Sequence, residues 1–156
     1  LLIGASTSLS SNIERSRDVG YPVTGVKVIL EGGSYHSVDS SELAFRYAAK
    51  QGILQGFAEA KPVILEPIML VEVETPNEYV GRVQGDLSSR RGLLLGSQTM
   101  EGYSVISAEV PLKEMFGYSM AVRSLSSGQA NFTMEFATYR QVPASEQKLL
   151  IEKVVK

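Results

Sequence analysis

The 156 residues carry 15 Lys plus Arg against 17 Asp plus Glu, one histidine and no cysteine, with 44% hydrophobic content. That length holds one domain of usual size or two small ones with modest cores, and the near-balanced charge excludes the whole-surface basic field that draws a protein onto nucleic acid. Without cysteine there is no disulfide scaffold and no thiolate metal site, and no apolar run approaches the ~20 residues of a membrane span.

Residues 1–20 are rich in Ser and Gly with weak periodicity, and their one dense charge cluster is Glu14-Arg15-Ser16-Arg17-Asp18. They read as a frayed or truncated element, and Leu1-Leu2-Ile3 lacks the basic flank and apolar length of a signal peptide. Val26, Val28 and Leu30 then alternate with Lys27, Ile29 and Glu31, which predicts a strand with one face more buried than the other. Gly32-Gly33 permits a turn, and Asp39-Ser40-Ser41-Glu42 has the spacing of a capping box that opens a helix at about Ser40. Leu43, Tyr47 and Leu54, with Ala44 and Ala48 beside them, supply its apolar face, and Lys61-Pro62 ends it at a domain boundary. The strand and helix are joined by Gly33, Ser34, Tyr35, His36, Ser37, Val38, Asp39 and Ser40, which hold the only imidazole.

A second unit starts at Ile64. Met69 to Thr75 alternates Val71 and Val73 with Glu72 and Glu74, the pattern of a half-buried strand. Thr75-Pro76-Asn77-Glu78 reads as a capped helix start, with Val80, Val83 and Leu87 on one face and Gly92 as the stop. Leu93 to Met100 and Ser104 to Val110 are strands joined by a two-residue Glu101-Gly102 connection, with Ile106, Ala108 and Val110 inward. Pro111 opens a helix with Leu112, Met115 and Phe116 apolar, Ser126-Ser127-Gly128 closes it, and Phe132, Met134 and Phe136 alternate along a last strand. The order βαββαβ is that of a ferredoxin-like sandwich, so the fold class is α+β. After Pro143, Leu150, Ile151 and Val154 share one side of a short amphipathic helix that needs a docking surface.

The candidate chemistry is sparse. His36, Asp39 and Glu42 are thin as a metal set, because the two acids have a capping role. Ser34, His36 and Asp39 on one short loop cannot easily form the sequential hydrogen bonds of a hydrolytic triad. Gly81-Arg82-Val83-Gln84-Gly85 resembles the phosphate loop of small acylphosphatases, but it falls inside a predicted helix and Asp86 would repel phosphate. No Gly-x-x-x-x-Gly-Lys-Ser/Thr run occurs, so the chain is not expected to hydrolyse nucleotide. Arg90-Arg91 at a helix end suits either the helix dipole or a phosphate. Met115-Phe116-Gly117-Tyr118 could be an aromatic platform for bases, although Met115 and Phe116 fit a core better.

Several stretches, among them Gly20-Tyr21-Pro22-Val23, Gly33-Ser34-Tyr35-His36, Val38-Asp39-Ser40-Ser41-Glu42, Leu65-Glu66-Pro67-Ile68-Met69, Arg90-Arg91-Gly92, Glu114-Met115-Phe116-Gly117-Tyr118 and Arg123-Ser124-Leu125, follow the order and spacing of bacterial elongation factor G. The resemblance covers about residues 20 to 143. It implies that residues 1–61 are the later half of the fourth domain of that family, residues 62–142 the ferredoxin-like fifth, and residues 143–156 a helix packing back on the first. It implies a cytoplasmic monomer, not bound to membrane, that contacts the ribosome. The loop from Gly33 to Ser40, with His36 foremost, would approach transfer RNA and messenger RNA at the decoding region. Arg90, Arg91 and Arg123 would meet large-subunit ribosomal RNA near the GTPase-associated centre. GTP and Mg would belong to the GTPase domain of the parent protein, which promotes GTP-dependent translocation; a ribosome-recycling paralogue and an acylphosphatase-like hydrolase are the alternatives. Ser37 stands where that family usually has an acid, and Gln129 where an arginine is common.

Overall fold

The computed structural model describes residues 21–154, apart from the side chains of Ala58 and Val154, so the reading of residues 1–20 lies outside it. In chain order the regular elements are α1 (Glu42–Glu59), β1 (Leu65–Pro76), α2 (Val80–Ser89), β2 (Leu93–Thr99), β3 (Tyr103–Pro111), α3 (Tyr118–Leu125), β4 (Asn131–Gln141) and α4 (Ala144–Val154). They fall into two compact units, Ile64–Val142 and the pair of segments Leu1–Val63 with Pro143–Lys156.

The Ile64–Val142 unit is a four-stranded sheet in the order β2-β3-β1-β4, antiparallel at every junction. This is the ferredoxin-like arrangement expected from the element order. Antiparallel pairing puts opposed residues on the same face, so Val71 opposite Ala108 and Val73 opposite Ile106 present one apolar layer to the helices. Val83 and Leu87 of α2 and Tyr118 and Val122 of α3 close over it, and all eight are at most 2% exposed. The Tyr118 ring meets Phe132 of β4 edge-on, 4.9 Å between centroids.

Both helices of this unit end alike. The Gly92 N–H reaches back to the Leu87 carbonyl and the Arg91 N–H to that of Ser88, and the Gly128 N–H reaches the Arg123 carbonyl. These are Schellman closures, with Arg91 (φ 61) and Ser127 (φ 53) in the left-handed position that glycine normally takes. Gly92 is required by proximity, since a Cβ there would lie 2.4 Å from the Leu87 carbonyl oxygen.

The start signals of these helices work differently from their sequence reading. Thr75 caps nothing: it lies within β1, 1% exposed. Asn77 anchors the turn instead, donating from Nδ2 to the Met100 carbonyl (3.3 Å) and accepting from Ser104 Oγ (2.7 Å). A 3-10 turn, Asn77–Tyr79, precedes α2. Pro111 closes β3 and leads into a second 3-10 turn, Leu112–Met115; the chain then bends at Phe116 and left-handed Gly117 (φ 76) before α3 begins. One expected helix is therefore two short pieces set at an angle.

In the other unit the expected strand over 26–31 does not form. Strand structure needs a ladder partner, and none is present among the described residues, so Val26, Val28 and Leu30 remain exposed. Helix α1 begins at Glu42, with Ser41 as its N-cap: Ser41 Oγ accepts from the Ala44 N–H at 3.1 Å. Asp39 does not cap, because Ser40 is already engaged with His36, and Glu42 pairs with Arg46 at 2.6 Å one turn on. The half-buried face is Phe45, Ala49, Ile53, Leu54 and Phe57, whereas Leu43 and Tyr47 are exposed. Two phenylalanines three turns apart define a better stripe than Leu43 and Tyr47, and of the expected face only Leu54 is on it. In α4, Leu150 and Ile151 are half-buried, and Gln147 Nε2 lies 3.5 Å from the Pro62 carbonyl oxygen; the side chain of Val154, expected beside them, lies outside the described residues.

Candidate functional site

The loop from Gly33 to Ser40 stands out because of how it is closed. The Ser40 N–H donates to the His36 carbonyl at 2.8 Å, and the His36 N–H donates to Ser40 Oγ at 2.9 Å. This reciprocal clasp encloses the turn Ser37-Val38-Asp39 and hands the chain directly to the Ser41 cap. Gly33 to Asp39 are all exposed, with Val38 at the apex 91% accessible. Gly32 and Gly33 do not adopt left-handed backbone, so Ser40, and not a glycine turn, sets this loop's shape. The sequence signal for it was the serine four residues after the histidine, hidden by the competing capping-box pattern. No group of three His, Cys, Asp or Glu able to hold a metal gathers among the described residues.

Three arginines were candidates for phosphate contact. Arg90 donates from Nε to Asp86 Oδ2 (2.8 Å) and from Nη1 to the Glu114 carbonyl (2.6 Å), and its guanidinium lies 5.1 Å from the centre of the Tyr118 ring. Arg91 grips both oxygens of Glu66 (3.2 and 2.5 Å) and sits 3.9 Å from Glu114. Both are thereby committed to internal partners. Arg123 is exposed on α3, with no ion-pair partner among the described residues, and Arg82, also exposed, leans over the Tyr79 ring at 5.9 Å. Beneath Arg90, burial pushes the Tyr118 phenol above its ordinary range; Asp86 adds to the rise and Arg90 opposes it. The Tyr118 hydroxyl has no hydrogen-bond partner among the described residues.

Charge is divided between the two faces of the sheet unit. Glu72 and Glu74 alternate with buried Val71 and Val73, and the register sets Glu109 and Glu135 opposite Leu70 on that same outer face. Arg140 pairs with Glu109, and a shallow 230 Å³ depression lined by Glu72, Glu74, Val105 and Asn131 lies on this face. The helix side has its acids Asp86 and Glu114 matched by Arg90 and Arg91, leaving Arg82 and Arg123 as its unpaired cations and Glu78 as its unpaired acid among the described residues.

Gly81 to Gly85 lies inside α2 and does not form the open loop after a strand that such a phosphate cradle requires. Of the proposed aromatic platform, Met115 and Tyr118 are buried, but Phe116 is 79% exposed, contrary to its core assignment. Met115 before it and Tyr118 two residues after it insert into the core, and Phe116 itself lies at the bend made with Gly117.

Two family models match the chain: elongation factor G C-terminus over residues 63–150, and elongation factor G, domain IV over residues 19–61. Among curated proteins, elongation factor G 1 of Syntrophus aciditrophicus (strain SB) is 52% identical over 136 residues, which is 87% of this chain and 20% of the relative. A crystal structure from Thermus thermophilus aligns with a TM-score of 0.87 at 38% identity, covering 99% of this chain and 23% of the other. The chain thus spans about a fifth of the length of the curated relative that it matches.

Proposed function

The chain belongs to the elongation factor G family, and from that premise we propose that it is the ribosome-contacting end of a translational GTPase that moves transfer RNA and messenger RNA in the cytoplasm. GTP and Mg belong in this reading to a GTPase domain of the parent protein, because the sequence has no Gly-x-x-x-x-Gly-Lys-Ser/Thr run and no carboxylate cluster gathers among the described residues. The observation that carries the reading is the clasped loop. A translocase needs an element that occupies space beside RNA and does not yield when pushed, and such a role requires shape more than reactivity.

His36 is held by its own backbone: its N–H and carbonyl are both engaged by Ser40, which leaves the imidazole free to donate or accept toward RNA. Ser37, in place of an acid, keeps this loop one negative charge lighter beside phosphate. In the sheet unit Arg123, like Arg82, is an exposed cation available to large-subunit ribosomal RNA, while Arg90 and Arg91 are held by internal partners.

The test is a chimera that places this chain on the upstream domains of the Syntrophus aciditrophicus factor. His36→Ala should slow single-round translocation by about tenfold while leaving ribosome-stimulated GTP hydrolysis intact, as expected for loss of one or two charge-assisted contacts. Ser40→Ala should slow it in the same direction by freeing the loop. Unchanged translocation in both variants would rule out the loop as the working tip.

A further inference from the structure

We infer that Ser41 is a hinge between the clasped turn and helix α1, and that the chain has a second state in which the two join as a single helix from Ser37 to Glu59. The turn is already helical in kind: the Ser40 N–H reaches the His36 carbonyl at 2.8 Å, which closes the same ring that repeats along an α-helix. Ser37, Val38, Asp39 and Ser40 are not among the residues with positive φ, so the turn has the hand that a helix needs. On the other side the Phe45 N–H takes the Ser41 carbonyl at 3.0 Å and begins the bonding of α1. Between these two pieces Ser41 is extended, with φ -146 and ψ 165.

The sequence holds the parts for both states. In the observed one, Ser41 Oγ caps the helix by accepting from the Ala44 N–H at 3.1 Å, and Glu42 pairs with Arg46. Asp39 takes no part in it, since no hydrogen bond or ion pair holds its carboxylate among the described residues. Rotating Ser41 into the helical region lets the N–H groups of Ser41, Glu42, Leu43 and Ala44 take the carbonyls of Ser37, Val38, Asp39 and Ser40, in exchange for the Ser41 cap. Asp39 then lies in the first turn of the longer helix, where the helix dipole favours a carboxylate, and His36 keeps its clasp with Ser40 at the new helix start. Against the merged state stands the weak helix preference of Ser, Val and Asp. The opposing terms are of similar size, so a partner that binds one form of the exposed turn better shifts the balance. Merging adds roughly 7 Å of helix and gives His36 a second position. The inference rests on the geometry of this segment and not on the ribosomal reading; joined to that reading, it gives the tip two reaches.

The experiment is backbone NMR on the full isotope-labelled chain. Ser41→Ala removes the cap of the observed state and favours helix at the hinge, so it should raise the merged population about tenfold. The readout is secondary Cα shifts that turn helical at positions 38 through 41, with helical α-proton to amide contacts that run across position 41. Random-coil shifts over 37–41 with α1 still starting at Glu42, or an extended shift retained at position 41, would overturn the proposal. Adding Asp39→Asn to that variant takes the acid out of the new first turn and should lower the merged population roughly threefold. Helicity indifferent to that change would place Asp39 outside the first turn and overturn the merged register. In the unaltered chain, saturation-transfer experiments on the Glu42 and Leu43 amides should reveal a minor state whose shifts coincide with those of Ser41→Ala. A minor state with random-coil shifts, or none, would count against the hinge. Unchanged amide shifts in the sheet unit confirm that each variant is folded. Failure of these measurements leaves the ribosomal reading standing, because the translocation assay tests that reading separately.

Discussion

Apolar side chains meet opposite fates in the two units. In Ile64–Val142, Val71, Val73, Val83, Leu87, Ile106, Ala108 and Val110 are all at 0% exposure, whereas in the other unit Val26, Val28, Leu30, Leu43 and Tyr47 are between 48% and 77% exposed. Composition does not separate these sets, since valine and leucine supply most of both. The difference is the presence of a partner surface: each strand of the sheet has a neighbour and two helices over one face, while the segment before α1 has no ladder at all among the described residues. Burial then converts apolar area into stability in the Ile64–Val142 unit, whereas the described residues of the other unit show a capped helix with a half-buried face and a clasped loop.

The sharpest way to break this contrast is to truncate the same residue type in each unit. Leu87→Ala removes a fully buried side chain from the helix-sheet core and should cost about 2–5 kcal/mol in denaturant unfolding of the sheet unit. Leu43→Ala, at a 77% exposed site, should stay within about 0.5 kcal/mol. Hydrogen exchange at β1 and β3 amides reports on the first independently of α1. Equal losses at both sites would mean that Leu43 is packed and that the contrast is false.

Glycine gives a second, smaller comparison. Gly92→Ala drives a Cβ to 2.4 Å from the Leu87 carbonyl oxygen and must open the α2 closure, at a cost of about 1–3 kcal/mol. Gly33→Ala meets nothing within 4 Å and has no left-handed backbone to strain, so melting should be unaffected. A tip loop that collapsed on Gly33→Ala would restore the glycine turn that the sequence suggests and remove Ser40 from its role.

The same logic explains what the sequence revealed. Val71, Val73, Ile106, Ala108 and Val110 were legible because period-two alternation and mutual pairing agree, and Val83 with Leu87 because one turn separates them. Gly102 marked the hairpin and Gly128 the end of α3 for local backbone reasons. What failed was choice among local signals that compete. Thr75 and Asp39 each began a sound capping pattern, but Thr75 was taken by β1 and Asp39 was bypassed once Ser40 closed on His36. Phe116 was misread because its exposure depends on the Gly117 bend, which no periodicity records. Arg91 looked available because Glu66 and Glu114 reach it from other elements, whereas the Asp86–Arg90 pair lies one helical turn apart in the sequence. The loop and Arg123 were legible in the sequence as candidates only; the clasp depended on which of two adjacent serines closes on His36, and the division of charge between faces needed the register.

The smallest effect expected lies inside the rigid frame. Tyr118 is 1% exposed, and its hydroxyl has no hydrogen-bond partner among the described residues, so Tyr118→Phe removes a desolvated polar atom while keeping the edge contact with Phe132. Near neutral pH the variant should match the parent or gain up to about 1 kcal/mol. The pH dependence has a definite sign. Burial, then Asp86, raise the folded phenol above the value of about 10 that it has in an unfolded chain. Below that value both states hold the proton and its ionisation costs nothing; above it the unfolded chain releases the proton and the folded chain retains it. The parent therefore loses stability as pH rises beyond about 10, with a limiting slope near 1.4 kcal/mol per pH unit from this residue. Other tyrosines and the lysines titrate in the same window, so the readout is the difference between parent and Tyr118→Phe in urea unfolding at pH 9 through 11. A widening gap in favour of phenylalanine is expected. A constant gap would mean that the hydroxyl is solvated in the folded state, and the sheet unit would then be less completely sealed than its other core residues indicate.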